Sequence, residues 1–420
     1  IPKKALVRSL EVFSTVKRAA EFGVTASDTR LDWQKVQERK DEIIKELVGD
    51  READLKEAGI AYYREEASFL SRDELLIGGK RFRARRVVIA GGSRPSKPPI
   101  PGIEYAITSD QALELRTLPE SMVIIGGGYI ALELGYVFSA AGVDLTILEA
   151  TERLLPNADG EISRAIERSF VQRGVGVHTS ATVTGIALDN SRRVVKADIG
   201  GSELSFYAET VLVATGRGPN LDGLNLDAAD IRYSKKGIDV NDFLQTSASS
   251  VYAAGDITGT LMLTPVASYQ ARIAARNAIE GNVVPADYRI VPSAVFTYPS
   301  IAWVGMTEEQ ARAENIDHSV SHSYFQDNGA AVINGEPEGF VKLIADSEGR
   351  IIGGHIIGAG APDAILEVAV AMKGKLTMQA LSDTIHIHPS FSFAVARAAA
   401  SYKGDSRACN SLKGNSTPAG

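Results

Sequence analysis

The chain has 420 residues, 44% hydrophobic and 23% charged, which is ordinary soluble globular composition and enough length for two or three domains with buried cores. Its 45 Lys and Arg against 52 Asp and Glu leave a net charge of -7, without the basic excess that a nucleic-acid binder needs. No apolar run reaches the roughly 18 residues of a membrane span and no secretory leader opens the sequence, so a cytoplasmic protein without a membrane partner is expected.

In chain order, RSLEVFSTVKRAAEFG places Leu10, Phe13, Val16 and Ala20 near helical spacing, with Gly23 as the stop. Four apolar runs then end at glycines: RRVVIAGGS, SMVIIGGGY, TVLVATGRG and SVYAAGDIT. Uninterrupted runs of this kind predict strands buried on both faces, in parallel sheets covered by helices, so the core is α/β. Within the second run, MVIIGGGYIALELGYVF reads as a strand, a G-x-G-x-x-A turn (Gly126, Gly128, Ala131) and a helix start, the order of a Rossmann unit. Gly126 permits the tight turn, Gly128 lets backbone N–H groups approach a pyrophosphate, and Ala131 allows close packing of helix on strand. The next strand, VDLTILEA, ends in Glu149, near the spacing of about 20 residues at which a carboxylate accepts from a ribose 2′-hydroxyl. Such a carboxylate repels a 2′-phosphate, which predicts NAD(H) over NADP(H); Arg153, four residues on, is the feature that argues the other way.

After about Val291 the texture changes. SAVFTYPSIAWVGMT, GFVKLIAD and RIIGGHIIGAG read as antiparallel strands, followed by the helical DAILEVAVAMKG, which together make a separate α+β domain. From Gly404 the chain is polar and aperiodic, and a disordered tail is expected over 404–420. That tail holds the only cysteine, Cys409, so no intrachain disulfide and no cysteine-rich metal site is expected.

Several segments, in order, resemble landmarks of the FAD-dependent pyridine nucleotide-disulfide oxidoreductases, the family of dihydrolipoyl dehydrogenase, glutathione reductase and mercuric reductase. They are IPKK, AGGSRPSKPPIPG, GGGYIALE, ATGRGPN, YAAGD, LTPVA, VFTYPSIAWVGMT and IHIHPS. The resemblance implies two Rossmann-like domains and a C-terminal α+β dimerisation domain. The first part of the FAD domain would be 1–109, the NAD domain 110–241, the return segment of the FAD domain 242–287 and the dimerisation domain 288–403. In the family a strand, a first G-x-G-x-x-G and a C-x-x-x-x-C redox motif precede an [I/V]-P-x-K segment. Ile1 resembles the residue just after the second cysteine, so the sequence is expected to be the remainder of a longer chain. As it stands, little tightly bound flavin and no NADH-dependent disulfide reduction are expected.

By motif, the resemblance assigns Asp256 to the ribityl chain of FAD, with Gly255 allowing close approach. Thr264, Pro265, Val266 and Ala267 form the helix start under the flavin pyrimidine, and Gly216 belongs to the dinucleotide-binding ATGRGPN. Lys3 or Lys4 pairs with Glu133 near flavin N5, and Tyr129 is an aromatic lid over the flavin. His388 matches the acid-base histidine, but the family's orienting glutamate is replaced by Phe393, which puts disulfide reductase turnover in doubt. The implied activity is hydride transfer between NAD(H) and FAD, followed by electron transfer to or from a small disulfide or dithiol, as in dihydrolipoyl dehydrogenase, by an obligate homodimer. The rival readings are an NADH oxidase or diaphorase, a mercuric reductase-like flavoenzyme, and a non-catalytic NAD-binding redox module.

Overall fold

A computed structural model describes residues 1–403; the tail expected over 404–420, with Cys409, lies outside the described residues. The first helix, α1 (Pro2–Lys17), carries proline in its first turn, where the missing N–H has no intrahelical partner to lose. It buries Ala5, Leu6, Val7 and Leu10. This stripe lies a turn earlier than Leu10, Phe13, Val16 and Ala20 suggest, and Val16 is 37% exposed. The reason is that α1 stops at Arg18 and a 3-10 turn, Ala19–Phe22, carries Ala20 off that face before closing on left-handed Gly23. Helix α2 (Trp33–Glu57), capped by Asp32 accepting from the Lys35 N–H, packs on α1. The short strand β1 (Val87–Ile89) follows.

The middle of the chain builds a five-stranded sheet from β2 (Ile107–Thr108), β3 (Ser121–Ile125), β4 (Asp144–Leu148), β5 (Gly176–His178) and, after an antiparallel meander, a last strand. The meander is β6 (Ala181–Asp189), β7 (Arg192–Ile199) and β8 (Ser202–Ala208), and the last strand is β9 (Thr210–Val213). The sheet order is β2-β9-β3-β4-β5, with every pairing parallel. Helices α3 (Tyr129–Ala140) and α4 (Gly160–Gln172) make the crossovers. In β3 the four residues Met122 to Ile125 are buried, as a strand covered on both faces requires.

The run RRVVIAGGS departs from that expectation. Val88 of β1 is 40% exposed. Among the described residues β1 pairs with one strand, β10 (Val251–Ala253), in a two-stranded parallel sheet, so its other edge has no strand beside it. Strand β10 is itself fully buried and leads to α5 (Thr264–Glu280).

The C-terminal region forms an antiparallel sheet in the order β11-β12-β15-β14-β13. Its strands are β11 (Ser293–Val295), β12 (Ile301–Gly305), β13 (His318–Tyr324), β14 (Phe340–Asp346) and β15 (Ile351–Ile357). Helix α6 (Glu308–Ala313) lies between β12 and β13, while α7 (Ala361–Lys373) and α8 (Phe393–Ala400) pack on the sheet. A buried ion cluster joins this sheet to the middle domain. The Lys342 ammonium on β14 is 1% exposed and reaches Asp159 at 3.0 Å, Glu161 at 2.7 Å and Glu308 at 2.7 Å. Asp159 also caps α4, accepting from the Glu161 N–H at 3.0 Å, and accepts from the Glu308 N–H at 3.1 Å. The N-termini of α4 and α6 are thereby clamped head to head. Among the described residues, no helix is long and apolar enough to cross a membrane.

Candidate active site

At the C-terminal end of the parallel sheet a cavity of about 620 Å³ opens, lined by Gly126, Gly127, Gly128, Tyr129, Glu149, Ala150, Thr215, Gly216 and Trp303, among others. Its glycines differ in what they do. Gly126 has a φ of 109°, and a Cβ there would stand 2.6 Å from the Ala214 carbonyl, so the turn closes only with glycine. A Cβ on Gly128 would meet nothing within 4 Å, because the space beside it is the cavity itself. Gly128 is also the N-cap of α3, and no side chain satisfies the helix's first N–H groups, which leaves them for an anion. Ala131 is fully buried one turn further on. Glu149 is 8% exposed at the end of β4. Its carboxylate accepts from the Gly127 N–H and from the N–H and hydroxyl of Thr151, at 2.7 and 2.8 Å, so the carboxylate meant for a ribose also braces the glycine turn. Gly216, with a φ of 123°, lies on the cavity wall and accepts from the Ser96 N–H at 3.0 Å. Glycine, helix start and acidic strand end fit a dinucleotide.

Beside this cavity stands a charged pair. Lys3 Nζ lies 2.6 Å from Glu133 Oε2, and Glu133, 3% exposed, accepts from the Phe296 N–H at 3.1 Å through its other oxygen. Lys3 also sits 5.4 Å from the centre of the Tyr129 ring. Lys4 is the partner not used: its ammonium rests over Phe296 at 3.6 Å, and burial lowers its pKa. Burial raises the Tyr129 phenol, with Asp256 and Glu133 pushing the same way and Arg217 opposing. Asp256 accepts from the Ser93 hydroxyl at 2.6 Å, and Ser93 in turn accepts from Arg217 at 2.8 Å. Gly255, with a φ of 80°, would bring a Cβ within 3.3 Å of Ala267 at the start of α5. That helix opens with Thr264, Pro265, Val266 and Ala267, and its N-cap, Leu263, supplies no side-chain acceptor. Its first N–H groups are free to favour an electron-rich ring edge, so the segment fits the flavin role assigned to it.

Gln270 was not singled out from sequence. Fully buried, it accepts from the Gly255 N–H at 2.6 Å and donates to the Tyr288 hydroxyl at 2.8 Å, which locks the Gly255–Asp256 segment to α5. Its signal was available: it is one of two amides, with Asn277, on the stripe Val266, Gln270, Ile273, Ala274, Asn277, Ala278. Ser93 and Arg217 carried no such signal, because only the fold brings them to Asp256.

Near the C-terminus the two histidines stand in different surroundings. His388 is exposed, its ring centre lies 5.0 Å from that of Phe393 in an edge-on arrangement, and among the described residues no carboxylate bonds to it. His386 instead is held by Glu367 of α7 through Nε2 and by the Thr384 carbonyl at 2.7 Å through Nδ1. Burial opposes its charge, but these two bonds win, and its pKa is raised.

Comparison with known proteins matches residues 1–271 to the pyridine nucleotide-disulphide oxidoreductase family and residues 291–399 to the dimerisation domain of that family. The chain is 37% identical over 401 residues to dihydrolipoyl dehydrogenase of Bacillus subtilis (strain 168), covering 93% of this chain and 87% of the relative. It is 35% identical over 390 residues to mercuric reductase of Lysinibacillus sphaericus, covering 92% of this chain and 71% of the relative. Among solved structures, a HOCl-induced flavoprotein disulfide reductase from Escherichia coli superposes with a TM-score of 0.85 at 27% identity, over 96% of this chain and 89% of that one. The α/β architecture with a C-terminal dimerisation domain expected from the sequence is thus borne out.

Proposed function

The chain belongs to the pyridine nucleotide-disulphide oxidoreductase family, and we propose that it moves hydride between NAD(H) and FAD and exchanges the electrons with a disulfide or dithiol, like dihydrolipoyl dehydrogenase. The observation that carries this reading is the Lys3–Glu133 pair at 2.6 Å beside Tyr129 of the cavity wall, with Asp256 tied through Ser93 to Arg217, the neighbour of Gly216 on the same wall. When bound, FAD supplies the two-electron acceptor that links nicotinamide to substrate. The residues do the rest. The N–H groups at the starts of α3 and α5 favour the pyrophosphate and the electron-rich flavin edge. Asp256, held by Ser93, orients the ribityl hydroxyls, and Lys3, held by Glu133, places a cation near the reacting ring. The side chain of Tyr129 stands where a nicotinamide would enter.

A homodimer is part of the proposal. The dimerisation domain supports it, and so do large apolar side chains exposed on its surface: Leu366 at 52%, Val370 at 70%, Ile385 at 98% and Ile387 at 81%. A cytoplasmic setting belongs to it as well and rests on composition. An internal dithiol needs two cysteines and these 420 residues hold one, so the disulfide step is proposed from the family's reaction and is not assigned to residues of this chain. A second reading has one observation in its favour: with Phe393 where a carboxylate would orient His388, an acceptor that needs no proton from a histidine, such as a quinone or Hg(II), suits the site better.

The test is anaerobic titration by NADH of the protein extended ahead of Ile1 by the family's G-x-G-x-x-G and C-x-x-x-x-C segment and incubated with FAD, followed by a panel of lipoamide, glutathione disulfide, Hg(II) and a quinone. Bleaching of the flavin band supports the hydride step, and the panel divides the two readings. An NADH titration that releases no binding heat and leaves the flavin oxidised would sink both.

A further inference from the structure

We propose that Glu309, a residue of the dimerisation domain, sets the nucleotide preference of the cavity by holding Arg153 away from the ribose 2′ position. This rests on the reading of the cavity as an NAD site. Arg153 is well placed to interfere with that preference. The Thr151 hydroxyl lies 2.8 Å from the Glu149 carboxylate and 3.0 Å from the Arg153 carbonyl, so one threonine hydroxyl touches both residues. A guanidinium on a side chain this long, so close to the ribose-reading carboxylate, could offer two parallel hydrogen bonds to a 2′-phosphate.

The structure commits it elsewhere. Arg153 donates to Glu309 at 3.1 Å and to the carbonyls of Pro156 at 3.1 Å and Ala158 at 3.2 Å. Pro156 and Ala158 line the cavity. The arginine therefore shapes the cavity wall and is turned from its contents. Glu309 is itself well anchored, since its carboxylate accepts from the Gly160 N–H at 2.9 Å. The residue before it, Glu308, is fixed by Lys342 at 2.7 Å and by Asp159, which accepts from its N–H. A lone exposed ion pair would hold an arginine weakly, and Arg153 and Glu309 are 33% and 45% exposed. What makes this pair a positioning device is the clamp between α4 and α6, which delivers the carboxylate from another domain to a fixed place. The sequence shows the acidic pair Glu308 and Glu309 beside a helix start, but nothing in it says that their target lies 156 residues earlier.

The experiment measures Kd for NADH and NADPH by nicotinamide fluorescence or calorimetry on the unaltered chain, Glu309→Gln, Arg153→Gln and the double variant. Binding is read directly, so turnover is not required. Glu309→Gln is expected to tighten NADPH relative to NADH by about tenfold, the worth of one hydrogen bond to a charged group. Arg153→Gln should leave the ratio where it is, and the double variant should return it to that of the unaltered chain. A ratio unmoved by Glu309→Gln, or a gain that survives in the double variant, would overturn the proposal; the latter would mean simple repulsion between Glu309 and the phosphate. If the unaltered chain binds no NADH, the reading of the cavity fails and this proposal with it. If NADH binds and the ratio does not move, this proposal fails alone.

Discussion

Replacing Lys342 with methionine would probe how the dimerisation domain is joined to the nucleotide domain. Methionine keeps the apolar stem and removes the ammonium that Asp159, Glu161 and Glu308 share. The three carboxylates are not left in equal difficulty. Glu161 is 33% exposed and Glu308 17%, so both can turn toward water, but Asp159 is 1% exposed and keeps only backbone donors. Removing one partner of a buried pair typically costs about 3–5 kcal/mol, and because two of the carboxylates can relax we expect about 3 kcal/mol here. Urea unfolding followed by circular dichroism measures it. Adding Asp159→Asn, which neutralises the stranded carboxylate, should recover more than half of the loss. A Lys342→Met loss below about 1 kcal/mol, or a double variant no better than the single one, would refute the view that this cluster is a buried, mutually dependent set of charges.

Three further outcomes follow from the same geometry. Glu161, bonded by His322 and by Lys342, has its carboxyl lowered from 4.5 to about 2. Its folded value lies below its unfolded one, so its stabilisation is complete above pH 4.5 and disappears as pH falls through about 2; urea midpoints should fall more steeply across that window in the parent than in Glu161→Gln, and parallel curves would contradict the assignment. In the glycine turn, Gly126→Ala should destabilise by about 1–3 kcal/mol, through its positive φ and the contact with Ala214, whereas Gly128→Ala should melt like the parent and bind NADH at least roughly tenfold more weakly. Equal melting losses for the two variants would remove the distinction between a structural and a ligand-facing glycine. His386, with both ring nitrogens on acceptors, has a pKa raised above 6.5. It stabilises fully below 6.5 and loses this as pH rises through the elevated value, so Glu367→Gln should lower its NMR titration midpoint, and an unchanged midpoint would exclude the pairing.

Local sequence was enough to give the strand and turn over 122–128, because a run such as MVII followed by three glycines has few solutions other than a covered strand and a tight turn. The glycine turn and the acidic strand end were legible for the same reason, since they lie within some 30 residues of one another, and the family landmarks were legible from their order along the chain. Local sequence misjudged what depends on distant neighbours. Val88 reads as core and is 40% exposed, since among the described residues β1 has a strand on one side alone and burial depends on neighbours that its own residues do not specify. The choice of Lys3 over Lys4 as the partner of Glu133 was fixed only when α1 packed on α3, because two adjacent helical residues point in directions about a quarter-turn apart. Likewise the carboxylate lost at Phe393 has a counterpart on α7 that serves His386, and the cation of Lys342 finds acids 181 and 183 residues away. Charge pairing across domains follows three-dimensional distance, to which sequence separation is blind, so the family outline was legible in the chain while the electrostatic joints between its domains were decided by the fold.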